Sequence, residues 1–309
     1  MKNSVSISSV VLVLLLAGIG CSSAFAQLPS HLRDYPLGGQ QKASGDIVAP
    51  IFNGWVDNGD GSVRLIFGFA NRNREEIVDI PIGRNNFIEP SQFNGVQPTH
   101  FPIYKRRAFI GINERGAFAV TVPAEMAGTE VIWTLKHAGH EYSVPGRATS
   151  PTYEMSAGGA AFGSLLPAIR FEMDGSESTN HEGITAERIT TSVGTPVTLR
   201  AYVQDRSNRD AYPDNNEFLH YQVGTEWIFH QGPAVPAFTQ AKITGAERVA
   251  QYGNTVTEED WILVKTEASF SEPGDYVIRL RADNFLAPDS RFDYMCCWSN
   301  AYVPVTVNP

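Results

Sequence analysis

Apolar and polar residues alternate along much of the chain, most clearly at residues 274–284. One face of this stretch carries Tyr276, Ile278, Leu280 and Ala282, and the other face carries Val277, Arg279 and Arg281. A period of two predicts a β-strand that packs one face on a core. Pro273 and Gly274, just before it, are typical of a turn because proline pre-sets φ and glycine accepts a positive φ. The two arginines predict that the second face of the strand is exposed to water.

The same alternation predicts strands in both halves of the chain. They cover residues 47–56, 63–69, 131–135, 197–203, 226–230, 260–268 and 301–307. Trp133 and Trp227 are predicted core residues of their strands. The turn residues at 57–61, DNGDG, predict a hairpin because they tolerate a positive φ. Proline has no backbone N–H to donate to a neighbouring strand. Pro304 therefore predicts that the last strand lies at the edge of its sheet, or that the N–H side of position 304 faces outward.

Composition agrees with these strands. The chain has 309 residues with 27 glycines and 19 prolines, and long stretches of helical periodicity are absent. The predicted fold class is therefore all-β, with two tandem antiparallel β-sandwich (Ig-like) domains after a cleaved signal peptide. The predicted divisions are a signal peptide at 1–26, an extended lead-in at 27–45, a first sandwich at 46–146, a linker at 147–165 and a second sandwich at 166–309.

The N-terminal residues are typical of an export signal. Lys2 precedes an apolar run at residues 10–19, which is short for a membrane span, and a small-x-small cleavage sequence ends before Gln27. A lipid anchor on Cys21 is the alternative, but Gly18 stands where such signals normally carry leucine. We therefore predict export to the periplasm or the exterior, and no membrane span in the mature chain.

The acidic net charge of the chain disfavours negatively charged partners. The formal net charge is −9, and an acidic chain is poorly suited to nucleic acid or anionic lipid, whose affinity rests on basic residues. The predicted partners are an envelope protein or a surface polysaccharide. The oligomeric state is not predicted by any pattern in the chain.

The stretch at residues 84–104 is long and irregular for a sandwich loop, and such loops often carry function. Its aromatic and histidine side chains are the candidate ligand-binding residues Phe87, Phe93, His100, Phe101 and Tyr104. Two interpretations remain open at this point. These rings anchor the loop to the core, or they form a platform for a ligand.

Acidic residues in two loops are candidate calcium ligands, and calcium is the single cofactor considered. The candidates are Asp57, Asp60, Asp205, Asp210 and Asp214. The further carboxylates and the closing glutamate of an EF-hand loop are missing, so a plain turn and a solvated loop are the favoured interpretations.

Cys296 and Cys297 are adjacent in the sequence. Neighbouring residues of a strand point to opposite faces, so two free thiols are the favoured interpretation. A vicinal disulfide requires unusual geometry. Metal binding or pairing between molecules are further alternatives, which would make this an envelope redox or metal protein.

Two resemblances follow from longer motifs. In the first half, the residues at 71–76, 79–83, 97–101 and 133–135 resemble a domain of uncharacterised exported bacterial proteins. In the second half, the residues at 197–199, 227, 232–233 and 268–280 resemble the polycystic-kidney-disease (PKD) type of Ig-like module and its bacterial relatives. That resemblance implies a seven- to eight-stranded sandwich that serves as a spacer or binding unit, and it implies no catalytic residue.

Catalytic motifs are absent from the sequence. It contains no G-x-S-x-G, no H-E-x-x-H and no glycine-rich phosphate loop. We therefore predict an exported, non-catalytic binding or structural protein of the cell envelope or exterior. The alternative is a secreted carbohydrate-active enzyme or lyase on a β-sandwich scaffold.

Overall fold

The computed structural model describes residues 41–103, 113–155, 165–207, 223–245, 247–248, 260–283 and 297–309. These residues are almost entirely strands and turns, which confirms the all-β fold class. Within them, no helix has the length and hydropathy needed to cross a membrane. We call residues 42–155 the first half and residues 165–309 the second half.

The first half contains two three-stranded antiparallel sheets and a two-stranded one. Its strands are β1 (Val48–Asp57), β2 (Val63–Asn71), β3 (Val78–Asp79), β4 (Asn86–Glu89), β5 (His100–Phe101), β6 (Asn113–Val122), β7 (Val131–His137) and β8 (His140–Gly146). One sheet has the order β1-β2-β6 and the other has the order β4-β7-β8, while β3 pairs with β5. The predicted hairpin at 57–61 is the connection between β1 and β2.

Aromatic side chains from both sheets fill the core of the first half. Phe67 of β2 stacks on Phe118 of β6 with 5.4 Å between ring centroids, and Trp133 of β7 meets Phe118 edge-on at 5.0 Å. All three rings are buried. The core position predicted for Trp133 is therefore confirmed.

The stretch predicted as irregular, residues 84–104, contains two short strands and a 3₁₀ turn at Ser91–Phe93. β4 extends the second sheet by pairing with β7. Its four residues are too few for the sequence to show a period. The buried side chain of Asn86 joins the stretch to its surroundings, because its amide donates to the carbonyls of Ile80 and Pro98 and its oxygen accepts from the Trp133 indole.

The second half is a sandwich of a five-stranded and a six-stranded sheet. Its strands are β9 (Ala168–Arg170), β10 (Glu177–Ser178), β11 (Ile184–Thr185), β12 (Ile189–Ser192), β13 (Val197–Gln204), β14 (Gly224–Gln231), β15 (Ala237–Phe238), β16 (Lys242–Ile243), β17 (Ile262–Ser269), β18 (Gly274–Asp283) and β19 (Trp298–Asn308). The first sheet has the order β10-β9-β13-β17-β15. In the second, β19 pairs with β11, β12 and β18, and β14 lies between β18 and β16.

The alternating residues of β13, β14 and β18 supply the core between these sheets. Leu199 of β13 and Ile278 and Leu280 of β18 are fully buried, and Trp227 of β14 is nearly so. The predicted strands at 197–203 and 274–284 and the core position of Trp227 are confirmed.

Pro304 lies at the point of β19 where the parallel pairing with β11 has ended and the pairing with β12 has not yet begun. β11 pairs with β19 as far as Tyr302, and β12 resumes the pairing at Val305. The proline, which has no N–H to donate, therefore occupies the gap between these two parallel partners.

The outer face of β18 does not meet water, so the prediction for Arg279 and Arg281 is wrong. Arg279 is 2% exposed and Arg281 is 3% exposed. The side chain of Glu114, on β6 of the first half, accepts hydrogen bonds from both guanidinium groups. Strands that are distant in sequence therefore cover a face that the local pattern assigns to solvent.

By their contacts, residues 42–309 form one compact unit. Residues 150–155 lie against β1, where the Trp55 indole donates to the Ser150 carbonyl at 3.0 Å and the Met155 N–H donates to the Trp55 carbonyl at 2.8 Å. The division into two tandem domains, with a linker at 147–165, stays a prediction.

Candidate functional site

Buried polar groups hold the two halves together along β6, β18 and β19. Arg279 donates to the Glu114 carboxylate at 2.5 Å and also to the Ala117 carbonyl. Arg281 donates to the same carboxylate at 3.3 Å. The Asn300 amide donates to the Gly116 carbonyl at 3.0 Å. These bonds place β6 across the sheet of the second half.

The loop that follows β4 makes a second junction between the halves. We call residues 90–99 the 90–99 loop. The Thr99 N–H donates to the His230 carbonyl at 2.9 Å, and the Gln231 amide donates to the carbonyls of Gly95 and Gln97, both at 2.8 Å. The 90–99 loop is thereby bonded to the end of β14.

His230 is a neutral imidazole in this junction. Its Nε2 lies 2.8 Å from the Val96 carbonyl oxygen, which can only accept, so Nε2 carries the proton and donates it. Burial, with the nearby Arg279 charge as a smaller cause, lowers the pKa of His230 from its ordinary value of 6.5 to about 3. A histidine in this state is poorly placed to act as a general base near neutral pH.

A cleft of about 700 Å³ opens between these two junctions. Its walls come from the 90–99 loop and β6 of the first half, and from β11, β14, β18 and β19 of the second half. The lining residues that carry polar or aromatic groups are Gln92, Phe93, Thr121, Glu182, Thr185, Arg188, His230, Gln231 and Tyr302. Clefts of this size accommodate small ligands or segments of a polymer.

Glu182 is the negatively charged group of the cleft, and the first half holds its carboxylate in place. The carboxylate accepts from the Thr121 N–H at 3.2 Å and from the Thr121 hydroxyl, and Arg64 lies 3.4 Å away. All of these donors belong to β2 and β6. The orientation of Glu182 therefore depends on the contact between the halves.

Arg188 is the positively charged group at the cleft, and its side chain is 52% exposed. It donates to the Asp275 carboxylate at 3.0 Å and to the Thr306 hydroxyl at 3.1 Å. Such an exposed ion pair contributes little to stability, so the guanidinium can exchange partners at small cost. Burial raises the pKa of Tyr302 to about 12, so the phenol of this lining residue stays protonated.

The predicted aromatic residues of the 84–104 stretch separate into different environments. Phe93 lines the cleft. Phe101 is fully buried in the first-half core, and Phe87 is half-buried with the Lys136 ammonium 5.7 Å from its ring centroid. Tyr104 lies outside the described residues. Of the described members, Phe93 alone lines the cleft, and it also packs against the first-half core. Ligand binding by these rings stays a prediction.

His100 is also buried, and it joins the halves without lining the cleft. Its Nδ1 lies 2.7 Å from the Asp79 carboxylate, and its ring centroid is 4.9 Å from that of Phe229 on β14. The imidazole is therefore occupied by contacts within the protein.

The candidate calcium ligands of the first loop, Asp57 and Asp60, accept hydrogen bonds from other residues of the same turn. The Asp57 carboxylate accepts from the Gly59 N–H at 2.8 Å, and the Asp60 carboxylate accepts from the Ser62 N–H at 2.9 Å and from its hydroxyl at 2.6 Å. The Ser62 hydroxyl and N–H lower the pKa of Asp60.

In the second loop, the Asp205 carboxylate accepts from the Ser207 N–H at 2.9 Å, while Asp210 and Asp214 lie outside the described residues. Across the ranges that are described, no group of three or more His, Cys, Asp and Glu side chains is placed to hold a metal ion. Calcium binding stays a prediction.

Cys297 is buried and disulfide-bonded, so the favoured interpretation of a free thiol at this position is wrong. Cys296 and Cys21 both lie outside the described residues. A vicinal bond between Cys296 and Cys297 therefore stays a prediction.

Most of the cleft residues have no local sequence signal. Glu182, Arg188 and Thr121 lie in polar stretches that read as ordinary loops and exposed strand faces. They meet because β6 packs across β11 and β19, at a sequence distance of 61 residues for the Thr121–Glu182 bond. Gln231, at the end of a predicted strand, gives no local sign of its bonds to a loop 134 residues away.

Comparisons with known proteins leave the family of this chain open. No protein-family model matches the chain, and no curated protein matches it. Among solved structures, domains 4 and 5 of the S-layer protein SbsC are 10% identical, with a TM-score of 0.20 over 59% of this chain and 66% of that one. The D0–D1 domain of intimin is 8% identical, with a TM-score of 0.24 over 84% of this chain and 97% of that one.

A protein of unknown function from Porphyromonas gingivalis W83 is 7% identical, with a TM-score of 0.22 over 84% of this chain and 99% of that one. TM-scores this low carry no conclusion about function. The resemblance of the second half to PKD-type modules stays a prediction.

Proposed function

We propose that this protein is an exported, non-catalytic binding protein of the cell envelope or exterior, and that it binds a surface polysaccharide in the cleft. The observation that carries the proposal is the cleft itself, about 700 Å³ in volume and walled by both halves. Saccharides present hydroxyl groups and apolar C–H faces together. A site for them needs hydrogen-bonding side chains beside aromatic rings.

The cleft residues supply both kinds of contact. The rings of Phe93 and Tyr302 offer apolar surface from opposite halves, while Arg188 and the amide of Gln92 offer donors. Arg188 is exposed, and its contacts are a surface ion pair with Asp275 and a hydrogen bond to the Thr306 hydroxyl, so a ligand can recruit it at small cost. The export signal predicted at residues 1–26 places such a protein where surface polymers are found.

The alternative of a carbohydrate-active enzyme has less support in this cleft. Glycoside hydrolysis ordinarily uses two carboxyl groups on either side of the scissile bond. The described lining holds one, Glu182, and its oxygens already accept bonds from Thr121 and face Arg64. His230 donates its Nε2 proton to Val96 and is buried.

The test is glycan binding by the protein without its predicted signal peptide, measured on a polysaccharide panel and then by calorimetry with the glycan that binds. Phe93→Ala and Arg188→Ala should each weaken binding about tenfold, as expected for anchor residues of a binding site. Phe87→Ala and Arg200→Ala are matched controls. Phe87 belongs to the same stretch without lining the cleft, and Arg200 forms an exposed ion pair with Glu172 at 2.9 Å.

Both controls should bind the glycan as well as the unaltered protein. Equal binding by all four variants, or binding to no glycan of the panel, would overturn the proposal. Shorter saccharides released during incubation, detected by chromatography, would instead favour the enzyme.

A further inference from the structure

The charged groups that line the cleft are each balanced within the protein. Among the lining residues that the structure describes, Glu182 and Arg188 are the charged ones. Arg64 lies 3.4 Å from the Glu182 carboxylate, and the Arg188 guanidinium donates to the Asp275 carboxylate at 3.0 Å. Each charge of the described lining therefore has an opposite charge beside it.

The other two titratable side chains of the described lining are uncharged. Tyr302 keeps its phenol proton, because burial raises its pKa to about 12. His230 is a neutral imidazole whose Nε2 lies 2.8 Å from the Val96 carbonyl oxygen and donates to it. The described lining as a whole therefore carries no uncompensated charge near neutral pH.

The floor of the cleft is apolar and lies on the outer faces of β18 and β19. Its residues are Val277, which lies opposite Pro304, and Tyr302, which lies opposite Arg279. Such a floor suits the C–H face of a sugar ring. A charged substituent laid on it would lose hydration without gaining a partner, which is costly.

The two charged residues of the lining lie at different positions along β19. Arg188 donates to the hydroxyl of Thr306, near the end of this strand. Glu182 comes two residues before Ile184, which pairs with Ala301 nearer the start of the strand. A polymer that lies along the floor therefore meets one charge of each sign, and neither a polyanion nor a polycation gains from both.

The Glu182 carboxylate keeps room for one more hydrogen-bond donor. A carboxylate has about four acceptor positions on its two oxygens. The Thr121 N–H, the Thr121 hydroxyl and the Arg64 Nε use three of them. The side chain of Glu182 is 38% exposed and lines the cleft, so the remaining position is open to a hydroxyl group of a ligand.

We infer that the cleft selects an uncharged glycan, and that Glu182 accepts a hydrogen bond from one of its hydroxyl groups. The inference rests on the proposed function and names the class of ligand for that site. An acidic group at Arg188 would replace one carboxylate, Asp275, by another and leave Asp275 without its cation. An acidic group near Glu182 would be repelled, and a cationic one would find this carboxylate already balanced by Arg64.

The charge of the whole chain acts in the same direction against acidic polymers. The formal net charge is −9, and a field of this sign opposes the approach of a polyanion over distances longer than a direct contact. The preference for a neutral over an acidic glycan therefore has both a local and a long-range cause.

The test compares charged and uncharged glycans of the same backbone on the protein without its predicted signal peptide. The pairs are hydroxyethylcellulose with carboxymethylcellulose, dextran with dextran sulfate, and N-acetylchitohexaose with chitohexaose. In calorimetry, the neutral member of the pair that binds should bind at least about tenfold more tightly than the charged one. Its Kd should change less than about twofold between about 50 mM and about 500 mM sodium chloride, because salt screens charge interactions alone.

Glu182→Gln separates a contact with the ligand from a structural role. An amide removes the charge that repels acidic groups and weakens the acceptor for a hydroxyl, so the preference for the neutral over the acidic member should fall about tenfold. Glu267→Gln is the matched control. Glu267 likewise accepts from a threonine hydroxyl, that of Thr198 at 2.6 Å, but does not line the cleft, so its variant should keep the preference.

Thermal unfolding of both variants checks that the fold is retained. Tighter binding of a charged member, a steep dependence of Kd on salt, or an unchanged preference in Glu182→Gln would overturn this inference and leave the proposed glycan site standing. Binding to none of these compounds and to no glycan of the panel would overturn the proposed function, and this inference with it.

Discussion

His230 shows how a single contact decides the chemistry of a residue. Its position in the chain, at the end of a predicted strand, indicates an ordinary histidine. In the structure, its imidazole is buried against the first half and its Nε2 proton is committed to the Val96 carbonyl. The protonated form would have to be desolvated near the Arg279 charge, so the folded protein disfavours it.

This burial predicts a loss of stability in mild acid. The pKa of His230 is about 3 in the folded protein and close to 6.5 in the unfolded chain, so the unfolded chain takes up the proton first. The stabilising contribution is complete above pH 6.5 and declines as the pH falls towards 3. Between pH 7 and pH 5, unfolding should become easier by about 2 kcal/mol from this residue.

His230→Gln provides the comparison, since an amide can donate to Val96 without titrating. Urea unfolding at pH 7 and pH 5 should show a smaller acid-dependent loss in the variant than in the unaltered protein. The same loss in both proteins would contradict the prediction.

At the level of elements, close approaches of backbone decide where strands can pair. Gly183 directly precedes β11 and has a φ of +81°. A Cβ atom on this residue would lie 2.5 Å from the Asn300 carbonyl oxygen. The parallel pairing of β11 with β19 therefore requires glycine at this position. Gly194 has a similar φ of +74°, but no atom lies within 4 Å of its Cβ position.

This pair of glycines gives a matched prediction. Gly194→Ala should destabilise the protein by about 1 kcal/mol, from backbone strain alone. Gly183→Ala should destabilise it by about 3 kcal/mol, because steric overlap with β19 is added to the strain. Chemical denaturation of both variants measures the difference, and equal losses would show that β11 moves away without cost.

At the level of the whole molecule, a buried group of charges joins the halves. Glu114 is 1% exposed and faces two guanidinium groups that are themselves buried. Removing its charge leaves Arg279 and Arg281 inside the protein without this partner. Loss of one partner from a buried ion pair is strongly destabilising, because the remaining charge keeps its desolvation penalty.

Glu114→Gln should therefore lower the free energy of unfolding by about 3–5 kcal/mol. Glu172→Gln is the control, because Glu172 forms an exposed ion pair with Arg200 and its loss should change stability by no more than about 1 kcal/mol. Tryptophan fluorescence and far-UV circular dichroism should follow one coincident transition in the unaltered protein. A loss in Glu114→Gln no larger than in Glu172→Gln would show that the ion pairs of Glu114 with Arg279 and Arg281 do not couple the halves.

The sequence by itself determined the elements that depend on local pattern. A period of two with turn residues at its ends predicts several strands of the second half, namely β13, β14, β17, β18 and β19. The same pattern predicts the hairpin between β1 and β2 and the core positions of Trp133 and Trp227. This works because a strand that packs one face on a core needs apolar residues at alternate positions, whatever else surrounds it.

The tertiary structure alone decided which faces and loops meet. β4 has four residues and shows no period, and Arg279 lies on a face that the pattern assigns to water. Its partner Glu114 is 165 residues away. Contacts over such distances leave no periodic mark in either segment. The cleft is made by side chains from both halves, so its existence depends on how the sheets pack and not on the sequence of any one strand.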